Sequence, residues 1–266
     1  MRGAYWGSGA GEPVLCFHGV PASAYLYRKV LPALAERGLR GIAFDLPGLG
    51  LSDRPTSFDY TWTGLSAWAD RFAEALGLTR CHFVVHDIGG PVGFDVIRRR
   101  PERVASLTVL NTVLEVSRFT PPWVMRPFRW AGIGEAYLAA MTPTMLGVLM
   151  RTHGVLRGLS HAEATAYVQL LKGDDGGRAF LKIMRGFELT TAFESRIAAS
   201  LRARTFPAQM LWGAQDPALP MRRYAPAIAR LLGVTEATPL PGKHFIQEDS
   251  AEQIADAVVA LAGSPR

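Results

Sequence analysis

Three side chains in this sequence have the types and the order needed for nucleophilic hydrolysis: Asp87, Asp216 and His244. Asp87 lies in Phe83-Val84-Val85-His86-Asp87-Ile88-Gly89-Gly90-Pro91-Val92-Gly93. The apolar triplet predicts a buried strand, the glycines a sharp turn, and the spacing from Val92 a helix. The residue at the centre of such an elbow is forced towards positive φ, which Asp tolerates better than most. Val85 departs from the pattern, because an elbow usually has a small residue two places before its nucleophile. A carboxylate here is ionised at neutral pH and attacks without a base. It suits displacement at saturated carbon, giving an alkyl ester of the enzyme that a histidine-activated water then hydrolyses. The competing use of Asp87 is to N-cap the helix.

The chain supplies the partners that this chemistry needs. Asp216 falls in Gly213-Ala214-Gln215-Asp216-Pro217 and His244 in Pro241-Gly242-Lys243-His244-Phe245, each just after an apolar run. His244 would activate water, while Asp216 fixes its tautomer and stabilises its cation. An ordinary turn at Asp216 and a loop histidine at His244 are the plain alternatives; three such coincidences in this order argue against them. An oxyanion hole needs two backbone amides, and Ile88 and Val20 are the candidates, since Pro21 has no N–H. His18 reads as a loop tie at the edge of the pocket. No glycine-rich phosphate loop, Cys/His metal spacing or dinucleotide fingerprint is present, so neither a cofactor nor a metal is expected.

The elements that position these residues alternate. Val14-Leu15-Cys16-Phe17 predicts a buried parallel strand, after a glycine-rich turn over residues 7–13. A helix is expected over 23–36, a strand over 41–44, a scaffold loop over 45–53, and a helix over 63–76 capped by Gly77. The Asp87 strand and helix follow, then a strand over 106–110. From 112 to 207 the alternation stops, and the proline-punctuated, Met-, Leu-, Phe- and Trp-rich stretch reads as a helical cap insertion. It resumes with a strand over 209–212, a helix over 221–232, a strand over 235–239 and a helix over 250–262. The class is therefore α/β: a mainly parallel sheet with helices on both faces and a helical cap insertion. Residues 1–111 and 208–266 form the core domain, residues 112–207 the cap. Catalytic residues belong at the carboxyl ends of the strands.

At 266 residues and 48% hydrophobic content the chain can build a large core and is not disordered. The net charge is +6, but Arg98-Arg99-Arg100 sits at a helix end without aromatic or glycine interleaving, so nucleic acid is not an expected partner. Apolar runs are short, which argues against a membrane span. The two cysteines, Cys16 and Cys81, read as reduced core thiols of a cytoplasmic protein, with no signal stretch at the start. The expected partners are a small hydrophobic substrate and water, with the protein a monomer or homodimer.

With these residues in place, the sequence resembles the haloalkane dehalogenase and epoxide hydrolase branch of the α/β-hydrolases over nearly its whole length. The resemblance rests on His18-Gly19-Val20-Pro21 with Tyr25-Leu26-Tyr27-Arg28, on Asp45-Leu46-Pro47-Gly48-Leu49-Gly50-Leu51-Ser52-Asp53, on His86-Asp87-Ile88-Gly89-Gly90, on Trp212-Gly213-Ala214-Gln215-Asp216-Pro217, and on His244-Phe245-Ile246-Gln247-Glu248. It implies an α/β-hydrolase fold, Asp87 as nucleophile, Asp216 as acid and His244 as base. Dehalogenases usually carry a tryptophan after the nucleophile to hold the halide, whereas Ile88 has no side-chain donor. Epoxide hydrolases use cap tyrosines or a histidine as proton donors, and the late-cap tyrosine is missing from Phe180-Leu181-Lys182-Ile183-Met184-Arg185. Tyr137 is the best remaining donor, ahead of His153, His161 and Tyr167. Trp123 and Trp130 are possible halide donors, with Met145 and Phe245 further pocket residues. The usual edge strands are expected to be shortened or absent. On this chemistry epoxide opening is favoured over dehalogenation, and a non-catalytic small-molecule receptor is the alternative from another class.

Overall fold

A computed structural model describes residues 1–263. Seven strands form one sheet in the order β1-β3-β2-β4-β5-β6-β7. They are β1 (Tyr5–Ser8), β2 (Pro13–Phe17), β3 (Arg40–Phe44), β4 (Cys81–Asp87), β5 (Val104–Thr112), β6 (Ala208–Gly213) and β7 (Thr238–Leu240). Only β1 pairs antiparallel; every other pairing is parallel, so the carboxyl ends of β2 to β7 share one edge. Continuous apolar runs make these strands because both faces are covered: Val14 to Phe17 and Phe83 to Val85 are fully buried. Helices α1 (Val30–Glu36), α2 (Trp62–Ala75), α3 (Gly89–Arg99), α9 (Met221–Leu232) and α11 (Ala251–Ala262) complete the α/β layers.

The edge is shortened, as expected, to one short strand: residues 5–8 pair with β3, from Tyr5 opposite Phe44 to Ser8 opposite Gly41. Its side chains are largely exposed, and it is held by backbone pairing, which no hydrophobic period reports. The helix expected over 23–36 is instead a 3-10 turn (Ala24–Tyr27) followed by α1. Pro32 explains the break: its ring would clash with the carbonyl of residue 28 if the α-helix ran through, so it is tolerated only in a first turn.

Between β5 and β6, residues 113–207 contain no strand. Short 3-10 turns (Val116–Arg118, Trp123–Arg129) lead into α4 (Ile133–Ala140), α5 (Pro143–Leu149), a π-helical turn (Met150–Gly154), α6 (His161–Lys172), α7 (Arg178–Arg185) and α8 (Thr191–Arg202). Two half-buried arginines bolt this segment to the core. Arg54 donates to the carbonyls of Leu170 and Leu171 at 2.7 and 3.1 Å, satisfying acceptors that the end of α6 leaves open. Arg28 bridges Glu163 on α6 to Glu248 on α10 (Ile246–Asp249), and Tyr167 donates to Glu248 at 2.6 Å. Among the described residues no single helix is long and apolar enough to cross a membrane.

Candidate active site

Asp87 ends β4 with φ of 52°, the only positive value outside glycine among the described residues. The strain is held by close packing. A Cβ on Gly19 would lie 2.2 Å from the Asp87 carboxylate, and one on Gly90 would lie 1.9 Å from Thr112 Oγ1. The Thr112 hydroxyl in turn donates to the Asp87 carbonyl. With both glycines, the loop after β2 and the start of α3 close directly on the elbow.

The sheet brings Asp87, His244 and Asp216 into one chain of contacts. Asp87 Oδ1 accepts from the Val20 amide at 2.8 Å, and Oδ2 lies 3.3 Å from His244 Nε2. His244 Nδ1 donates to Asp216 Oδ2 at 2.9 Å. Every lone pair of Asp216 that matters is engaged: Oδ2 also accepts from Asn111 Nδ2 at 2.7 Å, and Oδ1 from the amides of Ala218 and Leu219 at 2.7 and 2.9 Å. Asn111 directly follows the strand expected over 106–110 and was not among the expected site residues. Its Oδ1 accepts from the Gly213 amide, so it locks the acid's loop from the neighbouring strand. A buried asparagine at the end of β5, beside the strand carrying the acid, was the available signal.

Burial favours the neutral form of each group, and the partners outweigh it. Burial would lower His244, but the charges and hydrogen bonds of Asp216 and Asp87 raise it to about 10. Asp87 and Asp216 are each pushed up by burial and pulled further down by His244. The resting arrangement is thus an imidazolium between two carboxylates.

An apolar cavity of about 90 Å³ opens above Asp87. The core contributes Val20, Pro21, Ile88, Leu219, His244 and Phe245 to its wall; the helical segment contributes Phe128, Leu146, Met150, His153, Met184 and Phe187 among others. Several expected pocket residues are elsewhere. Tyr137 is off the wall, packed behind Phe128 with ring centres 5.0 Å apart, because α4 forms an outer layer. Trp123 and Trp130 are 66% and 56% exposed and outside the cavity, and Met145 faces away from it, while Leu146 and Leu149 on the same helix line it. His18 is fully buried beneath the site: Nδ1 donates to the Gly19 carbonyl and Nε2 accepts from the Leu46 amide, tying two loops together. Tyr167 is committed to Glu248, and His161 is exposed. Of the four cap donor candidates only His153 borders the cavity. Trp62, at the start of α2, also borders it, and its buried indole N–H has no acceptor. It lies just before the helix expected over 63–76 and was not among the expected site residues.

The family model described as alpha/beta hydrolase fold matches residues 12–251. The haloalkane dehalogenase of Psychrobacter cryohalolentis is 30% identical over 259 residues, covering 93% of this chain and 82% of that protein. Haloalkane dehalogenase 2 of Mycobacterium tuberculosis is 28% identical over 270 residues, covering 97% of this chain and 91% of its own. The crystal structure of haloalkane dehalogenase DbeA from Bradyrhizobium elkani aligns with a TM-score of 0.79 at 25% identity, over 98% of this chain and 93% of that one.

Proposed function

The chain belongs to the α/β-hydrolase fold family, in its haloalkane dehalogenase and epoxide hydrolase branch, and from that premise we propose that it hydrolyses short-chain haloalkanes to alcohols through an ester on Asp87. The observation that carries this reading is the Asp87–His244–Asp216 chain of contacts at the floor of an apolar cavity. Residues 113–207 act as a cap that keeps water out of the first step. The cavity, at about 90 Å³, is smaller than the roughly 150 Å³ that holds benzene, which favours a short chain.

In the first step Asp87 Oδ2 attacks the carbon bearing the halogen. A C–O bond forms, and the halide leaves with the electron pair of the C–X bond. Oδ1, held by the Val20 amide, becomes the ester carbonyl. Alkylation removes one of the two anions that hold His244 at about 10, so the imidazolium releases its proton and becomes a base. Water then attacks Asp87 Cγ as His244 takes its proton. The oxyanion develops on Oδ1, where the Val20 and Ile88 amides stabilise it. Collapse expels the alkoxide, which takes the proton from His244, and the Asp87 acid passes water's second proton to His244, restoring the carboxylate and the imidazolium. The sum is R–X and water to R–OH, halide and a proton.

Ile88 offers the departing halide nothing, and one such donor is worth on the order of 3 kcal/mol in the barrier. The unpaired Trp62 indole N–H is the donor that supports this reading. Epoxide opening, favoured by the sequence, needs a proton donor on the wall. With Tyr137 behind Phe128, that role falls to His153, which keeps epoxides as the second reading. A panel of short bromoalkanes, chloroalkanes and epoxides decides the matter. We expect halide release with alcohol formation; diol formation without any halide release transfers the assignment to epoxides.

A further inference from the structure

His86, the residue before the nucleophile, makes one hydrogen bond and leaves half of its polar capacity unused. Its Nε2 donates to the His244 carbonyl at 2.8 Å, while Nδ1 is buried without a donor. The ring is fully buried, 4.9 Å from the His244 ring and 5.6 Å from that of Phe245. Burial, with the charge of His244, holds it down to about 3, so it is neutral and carries no proton to the reaction. A buried, half-unpaired imidazole is unfavourable against an apolar ring of similar shape. That cost argues that the single bond is what the residue is there for. The bond joins the backbone of the catalytic base to the strand that carries the nucleophile. The His244 loop is tied to the neighbouring core loop and strand by Gln215 N–H donating to the Gly242 carbonyl and Asn111 Nδ2 to the Lys243 carbonyl. It is tied to the helical segment by Phe245 N–H donating to the Gly154 carbonyl at 2.8 Å and Lys243 Nζ to the Thr152 carbonyl, both on its π-helical turn. The His86 bond is what joins the His244 backbone to β4.

We propose that His86 is a positioning residue for ester hydrolysis alone, referencing His244 to β4 so that motion of the helical segment does not carry the base away from the Asp87 ester. This rests on the ester reading above. Asp87 attacks unaided, so alkylation does not depend on His86; hydrolysis does, because His244 must aim a water at Cγ. A displacement of about 1 Å of such a group costs on the order of 10²-fold.

The test is rapid-quench kinetics with a short bromoalkane, reading bromide release and alkyl-enzyme mass for wild type, His86→Phe and His86→Gln. In His86→Phe the first-turnover bromide burst stays within about threefold of wild type, hydrolysis falls 10- to 100-fold, and the ester becomes the main steady-state species. Gln places an amide N–H at a reach similar to Nε2 and restores hydrolysis. Native ester hydrolysis in His86→Phe overturns the proposal, as does an equal loss in both steps, which marks general damage to the site. If His244→Gln traps no ester from the same substrate, the ester reading has failed rather than the assignment of His86.

Discussion

At the strand ends, each carboxylate oxygen of Asp216 meets two donors, and Asp87 is locked by Val20, Thr112 and two glycines that admit no side chain. The helical segment opposite meets the cavity with methionine, leucine and phenylalanine and keeps Trp123 and Trp130 in solvent. One region fixes polar atoms through hydrogen bonds that few side chains can replace. The other fills space, which many apolar side chains do about equally well. Chemistry therefore belongs to the first region, and choice of substrate to the second, with Trp62 and His153 the polar exceptions on the cavity wall.

The sharpest challenge to that division is Trp62, a core residue credited with a role in the leaving group. Trp62→Phe keeps an aromatic ring beside Phe187 and removes the unpaired N–H. Halide release should fall on the order of 10²-fold in kcat/KM, the usual scale for one lost oxyanion-type donor, with ester hydrolysis untouched. Turnover within about threefold of wild type would place the halide elsewhere on the wall.

A second test uses pH and addresses the electrostatics of the strand ends. His244 sits near 10 when folded and near 6.5 when unfolded, so the folded state binds its proton more tightly. Its contribution to stability is complete below about pH 6.5 and is lost as pH rises towards 10. Thermal melts should show the margin of wild type over His244→Gln shrinking across that window. A margin that stays constant would mean that His244 is not charged in the resting protein.

The smallest effect is expected at Tyr137. Tyr137→Phe should leave both halide release and any epoxide turnover within about twofold, since the hydroxyl lies behind Phe128. A large loss would mean that the helical segment rearranges to bring Tyr137 inward, and would restore the epoxide reading.

The same contrast explains what could be read in advance. Val14 to Phe17, Phe83 to Val85 and Met210 to Trp212 are apolar runs that stop at functional turns, so the strands and Asp87, Asp216 and His244 announced themselves together. Residues 113–207 were legible as helical but not as a surface. Whether Met145 or Leu146 faces the cavity depends on how α5 is rotated, and Tyr137 sits one layer out because α4 packs on the 3-10 turn that presents Phe128. Asn111, His86 and Trp62 were hidden for another reason: the roles of Asn111 and His86 lie in contacts 105 and 158 residues along the chain and that of Trp62 in a missing acceptor, and neither has a local signature. The strand β1 was missed because its pairing is made by backbone alone.

The central claim is that Asp87 is alkylated and that His244 serves only to release it. His244→Gln mixed with a short bromoalkane tests it in one intact-mass experiment followed by peptide mapping. The account predicts one stoichiometric bromide burst and a protein heavier by the alkyl group, with the added mass on the peptide containing Asp87. Bromide release continuing over many turnovers with no adduct on that peptide would contradict it.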